Sequence, residues 1–176
     1  FTDDEVLKKT MENKPKVVAI DAPLNLPQGR ESIEQRTDVH LRECDRELLQ
    51  RGIKFFPITL GPMRKLTARG IALRKILESK HLKVIEVYPG GAQDILKIPR
   101  KQQGLEKLRA GLEKAGMKGL NDEMNDHELD AVTCALVGRL FLEGKTITYG
   151  TREQTIVMPE CPISRAAPAK TKSCFC

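Results

Sequence analysis

The chain has 176 residues, of which 40% are hydrophobic and 31% are charged, a composition typical of one globular domain with its own core. Thirty Lys and Arg residues against 24 Asp and Glu residues give a net charge of +6, which favours polyanionic partners. The absence of Trp and an aromatic content of 4% argue against a stacking platform for single-stranded nucleic acid.

The cysteines and the longest apolar segment indicate the compartment. The five cysteines are scattered, at Cys44, Cys134, Cys161, Cys174 and Cys176. Their spacing matches neither a zinc knuckle nor a secreted disulfide framework, so a reducing, cytoplasmic location is expected. Residues 131–142 are apolar but too few to span a bilayer, and we interpret them as a core helix.

The first half of the chain predicts three helices and one strand. Residues 2–5 have capping-box spacing and predict a helix to about residue 13. Residues 16–21 form a β-branched run without alternation, which predicts a central strand buried on both faces. A charged helix is predicted over about residues 32–51, followed by a basic amphipathic helix over about 62–79.

The second half adds a strand, two helices and a hairpin. Residues 83–88 predict a strand, and the order strand, helices, strand implies parallel pairing through a crossover. Helices are predicted over 101–115 and 126–143. Extended segments at 146–149 and 154–158 predict a hairpin or ribbon.

The domain organisation follows from these elements and from the composition of the carboxyl terminus. We predict an α/β class and a single domain over residues 1–162. Residues 163–176 are rich in Ala, Pro and Lys and cannot bury apolar surface, so this basic tail is expected to be disordered.

Two carboxylates are associated with the predicted strands. Asp21 ends the first strand, where open α/β sheets place their ligands, although the side chain could instead cap the following turn. Glu86 interrupts the apolar second strand. If that strand is buried, Glu86 needs a metal ion or a buried Arg or Lys as a partner. The alternative is an edge strand in which Glu86 lies on the solvent-exposed face.

The helix beginning at Asp126 contains acids with different functions. Asn125 and Glu128 have capping-box spacing, and Asp126 complements the helix dipole. Asp130 lies inside the apolar arc of the helix and should point inward. His127 projects from the same side, so it could share a metal ion or a water with Asp130, or could be polar surface.

These acids should converge at the strand ends. Carboxylate and water oxygens are the ligands that Mg²⁺ and Mn²⁺ prefer, and paired ions can activate water for phosphodiester cleavage. We therefore expect a divalent-metal-dependent nuclease acting on DNA or RNA. The basic helix would bind phosphate, or would simply keep the surface soluble, through its cations. The candidate substrate-binding residues are Arg64, Lys65 and Arg69.

Three segments carry a resemblance to a known family; they lie at residues 17–23, 84–90 and 127–136. From about residue 17 to 159 the chain resembles an uncharacterised family described as predicted nucleases of ribonuclease H-like fold. The His-x-x-Asp-Ala helix is also similar to that of Holliday-junction resolvases of the RuvC type, where such residues hold catalytic metals. The resemblance implies metal ligands at Asp21, Glu86 and Asp130, with His127 as an auxiliary ligand or water-orienting group.

The resemblance also implies a ribonuclease H-like mixed sheet flanked by helices. Sites of that fold take a leading Asp from the first of three antiparallel strands, and this sequence begins at the helix that follows them. We expect that carboxylate upstream of Phe1; the alternative is a protein that lacks it. Two alternatives stay open. One is a non-catalytic module on the same fold that binds nucleic acid or a partner. The other is an ATP-dependent phosphotransferase of actin-like or sugar-kinase topology, for which residues 90–91 are a weak phosphate-loop candidate.

Overall fold

The structure is a computed structural model that describes residues 2–151 and 154–161. Over these residues the protein is a mixed α/β domain with six α-helices and two small sheets. In chain order the elements are α1 (Asp3–Asn13), β1 (Val18–Ile20), α2 (Glu43–Gln50), α3 (Met63–Ser79), β2 (Val84–Glu86), α4 (Pro89–Leu96), a 3₁₀ turn (Lys101–Gln103), α5 (Leu105–Lys114), α6 (Asp126–Leu142), β3 (Thr146–Tyr149) and β4 (Ile156–Pro159). The predicted tail at 163–176 lies outside the described residues.

The parallel strand pair sets the position of the functional groups. β1 and β2 pair in parallel, with Ile20 opposite Glu86, and the connection between them contains α2 and α3. This arrangement confirms the predicted crossover. Because both strands run in the same direction, the residues that follow Ile20 and Glu86 lie at the same edge of the sheet.

The second sheet is the predicted hairpin. β3 and β4 are antiparallel, with Tyr149 opposite Ile156, and β4 lies against α4, α6 and β2. Within the described ranges, however, the two sheets do not share a hydrogen-bonded ladder. The secondary structure there is therefore two separate strand pairs rather than one mixed sheet.

Helix α6 packs directly on the first strand. Gly138 faces β1, where a Cβ atom would make ordinary van der Waals contact, at 3.4 Å from Val17 and 3.6 Å from Ala19. The buried residues of α6 include Leu129 and Val137. These contacts fix the rotation of α6 about its axis, and that rotation decides which way Asp130 points.

Two apolar clusters hold α6 in this position. The larger cluster joins β2, β4 and α6 through side chains such as Ile85, Val137 and Met158. The second lies where α5 meets α6 and includes Leu108 and Leu112, both fully buried. Each such aliphatic side chain contributes about 1.5–3 kcal/mol on burial, so α6 is anchored from two sides.

The predicted helix over 32–51 is wrong in its first half, because α2 begins only at Glu43. Local hydrogen bonds compete with helix formation before that point. The Ser32 hydroxyl accepts from the backbone N–H of Gln35, and the Thr37 hydroxyl accepts from that of Val39. Such side-chain bonds favour turns over helix. Arg42 then takes an extended conformation and caps α2.

Two further differences from the sequence-based expectation concern α4 and β1. No helix was predicted at residues 89–96, yet α4 begins at Pro89, a position where the missing N–H of proline costs nothing. β1 is half-buried rather than buried on both faces.

None of the helices within the described residues has the length and apolar character that a membrane span requires.

Candidate carboxylate site

A pocket of about 300 Å³ opens at the carboxyl ends of β1 and β2. Its wall includes residues that follow both strands, part of α4 and one turn of α6. The charged residues lining it come from five different segments of the chain. They are Asp21, Arg42, Asp45, Glu86, Arg100, Lys101 and Asp130.

Asp21 follows β1 directly and faces the pocket. Its side chain is open to solvent at the pocket mouth, but protein surrounds it on the other sides. Partial burial removes solvating water from the carboxylate and raises the pKa of Asp21 to about 6. The negative charge of Asp130 adds to this rise in pKa, whereas Lys101 and His127 oppose it. The two carboxylates are therefore close enough to repel each other.

Asp130 points into the same pocket from α6, with 13% of its side chain exposed. Its Oδ1 atom accepts a hydrogen bond of 3.2 Å from the Gln93 side-chain amide, which also donates to the Thr133 hydroxyl. The prediction that this acid points inward is confirmed. Gln93 is buried, so it holds the carboxylate in one orientation.

Lys101 supplies the positive charge nearest to Asp130. Its Nζ atom lies 2.9 Å from Oδ2 of Asp130 and 3.0 Å from Oδ2 of Asp126. Hydrogen bonds to these two carboxylates raise the pKa of Lys101. The ammonium group thus bridges two acids of α6 at the side of the pocket.

Glu86 is 4% exposed, as the burial prediction required. Its partner is Arg42, whose Nη1 and Nη2 atoms lie 2.6 and 2.7 Å from the two carboxylate oxygens. The backbone N–H of Leu24 donates a further bond of 2.7 Å. Burial raises the pKa of Glu86, and Arg42 opposes that rise. Of the two partners considered for Glu86, the structure has the arginine.

Arg42 also joins a second buried carboxylate. Asp45 accepts from the Nη2 and Nε atoms of Arg42 at 2.8 and 3.0 Å, and from its backbone N–H at 2.8 Å. Arg42 is 2% and Asp45 1% exposed. The guanidinium therefore ties the start of α2 to the end of β2, beneath the pocket.

The remaining candidates lie elsewhere. His127 has 88% of its side chain exposed, with Nε2 4.0 Å from Asp126, and it does not line the pocket.

The predicted substrate-binding residues lie on the basic helix α3. Arg64 forms an ion pair with Glu34, and Arg69 forms one with Asp3. Lys65 is exposed on α3. None of these three basic residues lines the pocket, so the basic helix face and the carboxylates are separate features.

The ligand set of the site is accordingly smaller than expected. In the part of the chain that the structure describes, no group of three or more His, Cys, Asp or Glu side chains is arranged to hold a metal ion. Asp21 and Asp130 share the pocket, while both oxygens of Glu86 face Arg42. Two carboxylates with water still fit Mg²⁺, which commonly binds through one or two carboxylates and keeps several waters.

Sequence reasoning missed four residues of the site: Arg42, Asp45, Gln93 and Lys101. The Arg-x-x-Asp spacing at 42–45 was a usable signal, since it places both side chains at a helix start. Gln93 and Lys101 had no comparable signal. Each meets Asp130 only through the packing of α4 and the 3₁₀ turn against α6.

Asp21, which follows β1, and Asp130, on α6, share a pocket edged by cations at the carboxyl ends of a parallel strand pair in a mixed α/β protein. The chain belongs to the DUF429 family, described as a protein of unknown function, whose model matches residues 4–155. No curated protein and no solved structure matches the chain.

Proposed function

We propose that this protein is a divalent-metal-dependent nuclease of ribonuclease H-like fold, with Asp21 and Asp130 as the ligands of Mg²⁺ or Mn²⁺. The observation that carries the proposal is the convergence of these two carboxylates in one pocket. They come from β1 and α6, and their mutual repulsion contributes to the raised pKa of Asp21. A bound divalent cation would relieve that repulsion.

The chain's own residues have definable tasks in this proposal. Gln93 donates to one oxygen of Asp130 and holds this carboxylate in position. Arg100 and Lys101 line the same pocket and can attract a phosphate group. Glu86 is not included as a ligand, because Arg42 takes up both its oxygens. When bound, the metal ion would lower the pKa of a coordinated water and stabilise the leaving oxygen.

The fold and composition support the same proposal. The parallel β1–β2 pair, the crossover between the strands and the packing of α6 on β1 are compatible with part of a ribonuclease H-like sheet. The net charge of +6 favours a nucleic-acid partner. The described cysteines, Cys44, Cys134 and Cys161, are free thiols, which suits the reducing cytoplasm that we propose as the location.

Cleavage assays with matched substitutions test the proposal. Asp21→Asn and Asp130→Asn should each lower Mn²⁺-dependent cleavage of single-stranded, duplex and branched DNA and RNA by about 100-fold or more, since even supporting residues of metal sites cost 10–100-fold. Asp122→Asn is the control, because Asp122 is 90% exposed and lies outside the pocket. Unchanged cleavage by the Asp130→Asn protein would refute the proposed site.

A second candidate is a non-catalytic nucleic-acid-binding module, favoured by the Lys101 ammonium beside Asp130 and Asp126. This arrangement balances part of the acidic charge without a metal ion. Calorimetric titration with Mn²⁺ separates the two candidates. Binding that is lost in Asp130→Asn supports the nuclease, whereas nucleic-acid binding without any Mn²⁺ binding supports the module.

A further inference from the structure

The pocket has an apolar wall in addition to its charged residues. This wall is formed by the loop before α3, the first turns of α3 and the residue that precedes α4. Its members are Phe55, Phe56, Ile58, Met63, Leu66 and Tyr88. Neither metal binding nor phosphate binding uses these side chains, so the wall needs a separate explanation.

Aromatic side chains are concentrated at this wall. The whole chain contains five Phe and two Tyr residues, and three of these seven line the pocket: Phe55, Phe56 and Tyr88. So few aromatic residues cannot form an extended stacking surface. They are sufficient for one planar ligand, because a single base can stack on a single ring.

Phe56 is the aromatic residue of this wall that remains available. Phe55 packs partly against the main apolar cluster, and the Tyr88 hydroxyl donates to the Lys54 carbonyl at 3.0 Å. Phe56 is 79% exposed. Leu66, which also lines the pocket, is 38% exposed. Neighbouring exposed apolar side chains at the edge of a pocket are typical of a ligand contact.

The cations of the pocket lie next to Tyr88, at one end of this wall. Arg100 is positioned 5.9 Å from the centre of the Tyr88 ring and is ion-paired with Asp94. Lys101 is the next residue and contacts Asp130. A ligand with a flat apolar part at Phe56 and an anionic part at these cations would contact both the wall and the cations.

We infer that the pocket binds one unpaired nucleobase against Phe56, with its phosphate towards Arg100 and Lys101. This inference rests on the proposed function and specifies its substrate as a nucleotide that is single-stranded or turned out of a duplex. The volume of about 300 Å³ is at the lower limit of ligand pockets, about 300–1,000 Å³. That space admits a single nucleotide rather than a stacked base pair.

Equilibrium binding tests the inference without requiring cleavage. The probes are two fluorescently labelled DNA strands of equal length, one fully abasic and one with a single thymine, titrated in EDTA and in Ca²⁺. The parent protein should bind the thymine strand about tenfold more tightly, in line with the usual contribution of base–aromatic stacking. The Phe56→Ala protein should reduce this preference to about twofold or less.

Two further variants make the result specific. Phe56→Tyr keeps the ring and should keep the tenfold preference, as should Leu142→Ala, which removes a 53% exposed side chain at the end of α6, outside the pocket. Equal affinity of the parent for both strands, no binding of either, or an unchanged preference in Phe56→Ala would overturn the inference.

The proposed nuclease and the base-binding pocket can fail independently. A thymine preference that depends on Phe56, in a protein that cleaves no nucleic acid, would support the pocket and refute the nuclease. Cleavage that requires Asp130, together with equal binding of both strands, would support the nuclease and refute the base-binding pocket.

Discussion

Replacing Arg42 by Met tests the buried ion network beneath the pocket. The substitution preserves much of the side-chain volume and removes the four side-chain hydrogen bonds to Glu86 and Asp45. Glu86 would then keep the Leu24 N–H, and Asp45 would keep the backbone N–H of residue 42. Both carboxylates are at most 4% exposed, so water cannot replace the guanidinium without rearrangement.

The expected loss of stability is large. Removing one partner of a buried ion pair costs about 3–5 kcal/mol, because it leaves an uncompensated buried charge. For a chain of this size, such a loss lowers Tm by about 6–20 °C. Arg64→Met is the matched control. Its ion pair with Glu34 is exposed, and exposed pairs contribute about 0–1 kcal/mol.

The loss should also depend on pH. Burial raises the pKa of Glu86 and Arg42 opposes that rise, so the pKa rises further when Arg42 is absent. A carboxyl group whose pKa is higher in the folded than in the unfolded state destabilises the fold as pH rises through the folded pKa. The Arg42→Met deficit should therefore be larger at pH 8 than at pH 5.

Urea unfolding at both pH values measures these effects. The Arg42→Met transition should occur at lower urea with an unchanged m-value, and adding Glu86→Gln to this variant should recover part of the loss and remove most of the pH dependence. A deficit below about 1 kcal/mol, which is the range of exposed pairs, or an equal deficit at both pH values, would refute the assigned role of Arg42.

Three further predictions concern the pocket and its support. Lys101→Met should bind Mn²⁺ about fivefold more tightly than the parent in calorimetry. In the parent, the Lys101 ammonium competes with the metal ion for Asp130, and this charge attraction is worth ~1 kcal/mol. Weaker binding by the variant would contradict this. Asp21→Asn should be more stable than the parent at pH 7 and equal to it at pH 4 in thermal melts. The folded pKa of Asp21 is raised to about 6, so its ionised form destabilises the parent at pH 7, whereas the group is largely protonated at pH 4. Lower stability of Asp21→Asn at pH 7 would be the contrary result. Gly70→Ala should lower the free energy of unfolding in urea by about 1–3 kcal/mol, because the new Cβ atom would lie 2.6 Å from the Pro23 carbonyl oxygen. As a control, Ala72→Ser at an exposed position of the same helix should change it by no more than about 0.5 kcal/mol. Equal effects of the two substitutions would argue against close packing at Gly70.

Local sequence patterns were sufficient for most of the secondary structure. Helices α1 and α6 begin at capping boxes formed by neighbouring residues, and β1 and β2 are short β-branched or apolar runs. Such signals lie within one element and do not depend on the rest of the chain. Residues 32–42 were mispredicted as helix because they have no apolar stripe, so short-range side-chain bonds decided their conformation.

The sequence by itself determined that Asp130 faces inward, because helical periodicity places it on the buried arc of α6. It also placed Asp21 at a strand end, where the pocket opens. Only the tertiary structure decided what accompanies these acids. Arg42 meets Glu86 across 44 positions of sequence, and Lys101 meets Asp130 across 29. Contacts at such separations depend on how whole elements pack, which periodicity and residue spacing do not encode.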